Sequence, residues 1–319
     1  MNIAIDIGKK RSYVVMKENG EVVKEGYVET TQYGFSTFFG ETKAANVIIE
    51  ASSTSNRVAS FLNGYNIIVA HPVKVRAIAE GVKKTDKIDA HVLLDLYEAH
   101  YLPTGYLAPI EIREARDLCR ARDMLVKHRT AVKNSIKYHT YNRGIDFKNF
   151  NKRSIEKLKS DPPLSSLVSQ LESFNTTIRQ LDDKINAAAE RNANAKLIDS
   201  VMGIGKKSAL AIAAEIGDVN RFSDESRIFA YAGLVPRIYQ SGENEYRGHI
   251  RGGDAFLRTL LVECVQMHIR LCPNSFITRA YYRIKEHSGY NKAKIAAARK
   301  LLQLIYVMLK RNEAYRADL

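Results

Sequence analysis

Four carboxylates stand where oxygen ligands for a hard cation would be needed. Asp6 closes the apolar run Ile3–Ile5, and Glu50 closes the run Val47–Ile49 just before a polar turn. Asp86 and Asp89 lie in Lys84-Thr85-Asp86-Lys87-Ile88-Asp89-Ala90, at the start of an expected helix, where i, i+3 spacing puts both on one face. Adjacent strand ends and a helix start can bring all four together. An all-oxygen donor set suits Mg²⁺ or Mn²⁺, and two such ions roughly 4 Å apart polarise a phosphodiester and its leaving oxygen. Taken singly, Asp89 reads equally well as a helix cap and Glu50 as a solvent-facing residue. Gly8, two residues after Asp6, lets backbone or ligand approach closely.

Three further groups invite a chemical reading. Gly203-Ile204-Gly205-Lys206-Lys207 resembles the hairpin of a helix-hairpin-helix element, whose glycines let backbone N–H groups meet phosphate while Lys206 and Lys207 add charge. It is not a P-loop, because Ser200 stands where that pattern needs glycine. A tight helix–helix turn explains it equally. Ser241 sits in a glycine-rich loop, where a lone serine is ordinarily a turn residue, and a serine hydroxyl is a poor nucleophile without a base or metal. No His–Asp pair at suitable spacing supports a hydrolase triad; His249 and Arg251 fit phosphate binding or plain surface. Cys264, His268 and Cys272 recur every four residues, but one straight helix cannot converge them on a tetrahedral ion, and their apolar neighbours favour a core face.

The charge distribution separates two regions. The 319 residues carry 49 basic and 35 acidic side chains, a net +14. Residues 1–100 hold 12 of each and are neutral, so the whole excess lies in 101–319. Two stretches dominate, 112–159 with 14 basic against 5 acidic and 279–311 with 9 against 1. Basic clusters beside a neutral domain point to a polyanionic partner, nucleic acid before a merely solvated surface. Arg113, Arg116, Arg120, Lys127 and Lys133 are the expected phosphate contacts in the first stretch.

The elements that must position these groups follow from hydropathy. Ile3–Ile7, Ser12–Met16, Glu21–Val28, Asn46–Glu50 and Asn66–Val69 read as strands, the second and third joined at the hairpin signal Asn19-Gly20. Helices are expected around 33–42, 52–63 and after His71-Pro72. The order implies a mixed sheet with helices on its faces. From Glu111 the pattern turns to long helices. Leu164, Leu167, Leu171, Phe174, Ile178, Leu181, Ile185 and Ala188 alternate three and four apart, a seam of more than three heptads. An antiparallel pair within the chain and an intermolecular coiled coil both satisfy it. Beyond 195, a small-residue helix over 207–216 and later helices flank the glycine-rich segment 233–253. No apolar run approaches a membrane span. The N-terminus predicts no signal peptide and the three cysteines suit a reducing cytoplasm.

The motifs around Asp6, Glu50, Asp86 and Asp89 resemble the DEDD motif of a RuvC-like, RNase H-fold domain, specifically that of the transposases of the insertion sequence IS110 family. Ala232-Gly233-Leu234-Val235-Pro236, Ser241-Gly242 and Gly248-His249-Ile250-Arg251-Gly252-Gly253 resemble that family's C-terminal domain. The resemblance implies an α/β RuvC-like domain over 1–100, a basic helical and coiled-coil region over 101–195, and a mostly helical, serine-bearing domain over 196–319. It also implies RNA-guided DNA recombination, with a structured bridge RNA pairing to donor and target DNA, and Ser241 as nucleophile beside carboxylate-bound Mg²⁺ or Mn²⁺. The expected protein is a cytoplasmic homo-oligomer, dimer or tetramer, acting on double-stranded DNA. Its alternatives are a metal-dependent junction-resolving nuclease that does not need Ser241, and a non-catalytic nucleic-acid scaffold.

Overall fold

Ile3–Ile5 and Val47–Ile49 are buried without residual exposure, which only central strands with both faces covered allow. The computed structural model describes residues 1–42, 45–79, 85–236, 238–241, 244–248, 250 and 252–316. It divides into two compact units, Met1–Leu107 and Ala108–Leu319.

The first unit runs β1 (Asn2–Asp6), β2 (Arg11–Glu18), β3 (Glu21–Glu29), α1 (Gln32–Phe39), β4 (Asn46–Glu50), α2 (Ser55–Phe61), β5 (Asn66–Ala70), α3 (Pro72–Ile78) and α4 (Asp86–Glu98). The sheet order is β3-β2-β1-β4-β5, with β1, β4 and β5 parallel and β1-β2-β3 an antiparallel meander. Asn19 and Gly20 take the positive φ values that a two-residue hairpin turn needs. Alternation assigns the faces. Ile3, Ile5, Val47 and Ile49 pack on Phe35 and Phe39 of α1 and Val58 of α2. Ala4, Tyr13, Val15 and Ile48 pack on Ala90, Leu93 and Leu94 of α4. This is the RuvC-like mixed sheet, and the remainder of the chain is mostly helical.

The second unit comprises α5 (Ile110–Asn142), α6 (Lys152–Leu158), α7 (Pro162–Arg191), α8 (Ala193–Asp199), α9 (Lys206–Ile216), α10 (Glu225–Tyr231), the hairpin β6 (Ile238–Ser241) and β7 (Asn244–Arg247), α11 (Ala255–Leu271) and α12 (Phe276–Arg311). The heptad seam finds its partner inside the chain. Leu164, Leu171, Ile178 and Ile185 are buried, and α7 lies antiparallel to α5. Arg122 meets Asp182, Arg129 meets Asn175 and Arg143 meets Asp161, one register held without slip. Cys119 of α5 and Ile185 of α7 join the same core as α8, α9, α11 and α12, while Ile136, Leu158, Leu164, Val168 and Leu171 form a separate cluster where α5, α6 and α7 meet.

Candidate active site

The first unit sets Asp6 and Glu50 at the ends of two adjacent strands and Asp86 and Asp89 in the first turn of α4. Asp6 and Glu50 end the neighbouring parallel strands β1 and β4, whose register pairs Ile5 with Ile49. Each lies two residues beyond a side chain on the α4 face, Ala4 and Ile48, so strand alternation turns both carboxylates toward α4. Helix α4 starts at that same end of the strands. Asp6 pairs with Tyr13 and Tyr13 with Tyr27 across the meander, and the Tyr27 hydroxyl donates to Asp86 Oδ2 at 3.3 Å. At the other end of α4, Lys17, whose strand partner is Asn2, holds Asp95 at 2.6 Å. The helix therefore runs antiparallel to β1, with Asp86 and Asp89 over the strand ends.

Local chemistry explains why α4 begins there. Thr85, and not Asp89, is the N-cap, its hydroxyl accepting from the Ile88 N–H. Lys87 and His91 both pair with Glu25 of β3, holding that carboxyl below its ordinary range, and so tie the first turns of α4 to the meander. Burial and the neighbouring Asp86 carboxylate push the Tyr27 hydroxyl upward, so it remains a donor. Gly8 is required by backbone, since a Cβ there would lie 2.0 Å from the Arg11 carbonyl oxygen. His71, following β5 at the same edge, was not singled out by sequence. Its Nδ1 is buried without a hydrogen-bond partner among the described residues, a signal that only the fold reveals.

Ser241 belongs to the second unit. It is the last residue of β6 and pairs with Asn244 of β7. Gly242, His249 and Arg251 lie outside the described residues. The stem of this segment is tightly specified. Gly233 and Gly253, with φ 65° and 73°, pass so closely that a Cβ on Gly253 would lie 2.4 Å from the Gly233 backbone. Arg258 of α11 donates to the carbonyls of Gly233 and Gly252, at 3.3 and 3.1 Å, and bridges the incoming and outgoing strands of chain. Asp254 caps α11 through the Leu257 N–H.

Two family profiles match this chain. The DEDD transposase profile of IS110 covers residues 3–139, and the profile described as "Transposase IS116/IS110/IS902 family" covers residues 195–283. The chain belongs to the IS110 family of transposases. It is 26% identical to the transposase for insertion sequence element IS1111A of Coxiella burnetii, over 98% of this chain and 91% of that protein. It is also 26% identical to the pilin gene-inverting protein of Moraxella bovis, over 92% and 88%. The transposase for insertion sequence element IS1328 of Yersinia enterocolitica is 23% identical over 84% of each chain.

The transposase thus acts in DNA transposition, and its DEDD domain implies a divalent metal ion. The donors fit such an ion in kind, being carboxylates at two strand ends and the start of α4. Among the described residues no three His, Cys, Asp or Glu side chains converge closely enough to hold an ion between them. Asp86 is instead engaged by Tyr27.

DNA binding calls for open cations, and the transposase uses several basic residues internally. Arg116 donates to the carbonyls of Ala214 and Glu215 at the end of α9. Arg120 forks onto both oxygens of Glu215, at 2.7 and 2.8 Å, and reaches Asp254. Glu215 is fully buried, and burial pushes its carboxyl up against the opposing pull of the bidentate Arg120 guanidinium. Arg113 is half-buried on α5, Lys127 pairs with Asp123 on the exposed side, and Lys133 lies 5.2 Å from the Phe150 ring centroid. Gly203 approaches protein backbone: its Cβ would lie 2.6 Å from the His268 nitrogen on α11. Gly205 starts α9 in open space, while Lys206 pairs with Glu190 and Lys207 with Asp182. His268 is a core residue, with Nδ1 donating to the Met202 carbonyl at 2.7 Å and Nε2 2.9 Å from the Ser275 hydroxyl. No helix among the described residues is long and apolar enough to cross a membrane.

Proposed function

We propose that this transposase is an RNA-guided recombinase that cleaves and rejoins double-stranded DNA with Ser241 as its nucleophile. Asp6, Glu50, Asp86 and Asp89 hold Mg²⁺, or Mn²⁺, against the reacting phosphate. The observation that carries the reading is the placement of the four carboxylates at two adjacent strand ends and the first turn of α4, with Asp6 and Glu50 facing α4 and Asp86 linked to their strand row through Tyr27. Bound there, divalent ions supply positive charge to the phosphate oxygens and to a developing alkoxide.

The chemistry of the chain's own residues is a transesterification. Ser241 Oγ forms a bond to the scissile phosphorus as the P–O bond to a deoxyribose oxygen breaks. The serine proton leaves to solvent, and the departing oxygen takes up one proton. Attack by the hydroxyl of another strand on the phosphoserine reverses both changes, so ester energy is conserved without an external source. A relative named for inverting a gene supports this coupling, because inversion requires cut ends to be rejoined. The neutral first unit performs the metal-dependent part, and the basic second unit holds donor DNA, target DNA and a structured bridge RNA. Two DNA partners call for a homo-oligomer, dimer or tetramer.

The test is Ser241→Ala, incubated with substrate DNA and the structured RNA encoded beside the gene, then resolved on a denaturing gel. The expected outcome is loss of the protein–DNA adduct and of recombination, to below about a thousandth of wild type, with binding retained. Strand cleavage by the wild type without any adduct would instead favour a metal-only, junction-resolving nuclease.

A further inference from the structure

Helix α12 breaks at Gly289, whose φ of 80° and ψ of 171° only glycine adopts readily. A Cβ at Gly289 would meet nothing within 4 Å, so crowding does not impose the break. Its effect is to fold two helical segments into an elbow. On a straight helix Tyr281 and Tyr290 would stand about 13 Å apart along the axis and on opposite faces. Across the elbow their ring centroids are 6.4 Å apart, edge to face. Tyr282 packs on Tyr281 in the same manner, at 5.2 Å. Tyr281 is buried and fixes the cluster, while Tyr282 and Tyr290 are 51% and 49% exposed.

The surroundings are cationic. Lys294 Nζ lies 4.2 Å from the Tyr290 centroid and Lys285 Nζ 5.9 Å from that of Tyr282. Arg283 and Lys292 are exposed beside them. Among the described residues none of these four cations has an acidic partner within salt-bridge distance, and Glu286 is the one acidic residue between 279 and 311. Arg116, Arg120, Arg122, Lys206 and Lys207, by contrast, are paired with carboxylates of the chain itself. Half-exposed aromatic rings with free cations alongside bind unpaired nucleotides: bases stack on the rings, and the lysines swing from the rings to the phosphates. Duplex DNA, its bases already stacked, offers the rings nothing.

We propose that the α12 elbow, through Tyr282 and Tyr290 with Lys285 and Lys294, is a binding site for unpaired nucleotides. It is independent of Ser241 and of the carboxylate edge. The ligand is a single-stranded stretch, whether of guide RNA or of opened DNA.

The test uses the full-length protein with three fluorescent probes: oligothymidine, oligouridine and a duplex DNA of equal length. Tyr282→Ala with Tyr290→Ala is expected to weaken at least one single-stranded probe by about a hundredfold. The duplex affinity and the salt dependence should be unchanged. Tyr282→Phe with Tyr290→Phe should bind like the wild type, since the ring and not the hydroxyl carries the stacking. Lys285→Ala with Lys294→Ala should lower the slope of log affinity against log salt by roughly 0.7 for each phosphate that the variant no longer neutralises. The more strongly affected probe identifies RNA or DNA as the source. Because another basic surface can dominate affinity, ultraviolet cross-linking of the same probes is read by peptide mapping, with adducts expected at Tyr282 or Tyr290. Unchanged single-strand binding together with no adduct between 281 and 294, or an equal loss on duplex, would overturn the proposal.

Discussion

At the scale of single residues, the carboxylate edge is a charge problem before it is a catalyst. In the proposed site, carboxylates drawn around one metal centre repel each other until the cation arrives. Mg²⁺ is therefore expected to raise the melting temperature of the wild type, by an increment equivalent to about 2.7 kcal/mol at a hundred times its dissociation constant. Asp6→Asn should fold, melt higher without metal than the wild type, lose most of the Mg²⁺ increment and lose DNA cleavage. Wild-type cleavage by that variant, or undiminished wild-type activity in excess chelator, would remove these carboxylates from the mechanism. A second residue gives a pH signature. The Asp224 carboxylate caps α10, accepting from Ser226 and the Arg227 N–H, which pushes it down to about 2. A depressed carboxylate stabilises the fold above its ordinary pKa, and the contribution is lost as pH falls through the folded value. The melting difference between wild type and Asp224→Ala should thus be full at pH 5 to 7 and fade between about pH 4 and pH 2.

At the scale of elements, the stem below Ser241 and the ion pair of half-exposed Arg120 with buried Glu215 are sensitive to small changes. Gly253→Ala places a Cβ against the Gly233 backbone at positive φ. It should destabilise the second unit by about 2 kcal/mol or more, seen as a lower melting point together with reduced strand transfer. Arg120→Ala leaves Glu215 buried beside Arg116 alone, whose Nε is 3.7 Å away. A loss of about 3 kcal/mol is expected, and Arg120→Met with Glu215→Leu should recover much of it. These couplings also show why legibility was uneven. The strands β1, β4 and β5 were readable because apolar runs announce buried strands, and Asn19-Gly20 announces its turn. Strands β6 and β7 were not, being four residues each inside a glycine-rich stretch with no periodicity. The heptad seam on α7 was plain, and Leu118, Leu125 and Val132 recur every seven residues on α5, but spacing alone fits a coil between chains as well as a pair within one. Charge revealed that α5 is basic; it could not reveal that Arg116 and Arg120 answer Glu215, about a hundred residues onward.

At the scale of the whole molecule, charge is partitioned between units that each have their own core. Residues 1–107 are neutral and 108–319 carry +14. Duplex affinity of the full chain should fall steeply with salt, at a slope of roughly 0.9 per phosphate neutralised, while isolated residues 1–107 should bind far more weakly with a shallow slope. Equal binding by the two would contradict the partition. Leu171→Glu or Ile178→Glu should unfold the α5–α7 hairpin rather than only dissociate subunits, because both side chains are buried within one chain. That hairpin is also a ruler. Thirty-three residues of α5 extend about 50 Å, the reach of roughly fifteen base pairs of duplex. Its two arms are locked at the far end by Arg143 on Asp161 and nearer the base by Arg122 on Asp182. Length can then change only in matched steps: excising seven residues from both arms shortens the reach by about 10 Å and keeps the seam intact. Excising four from one arm rotates its apolar stripe out of register and should cost the hairpin itself.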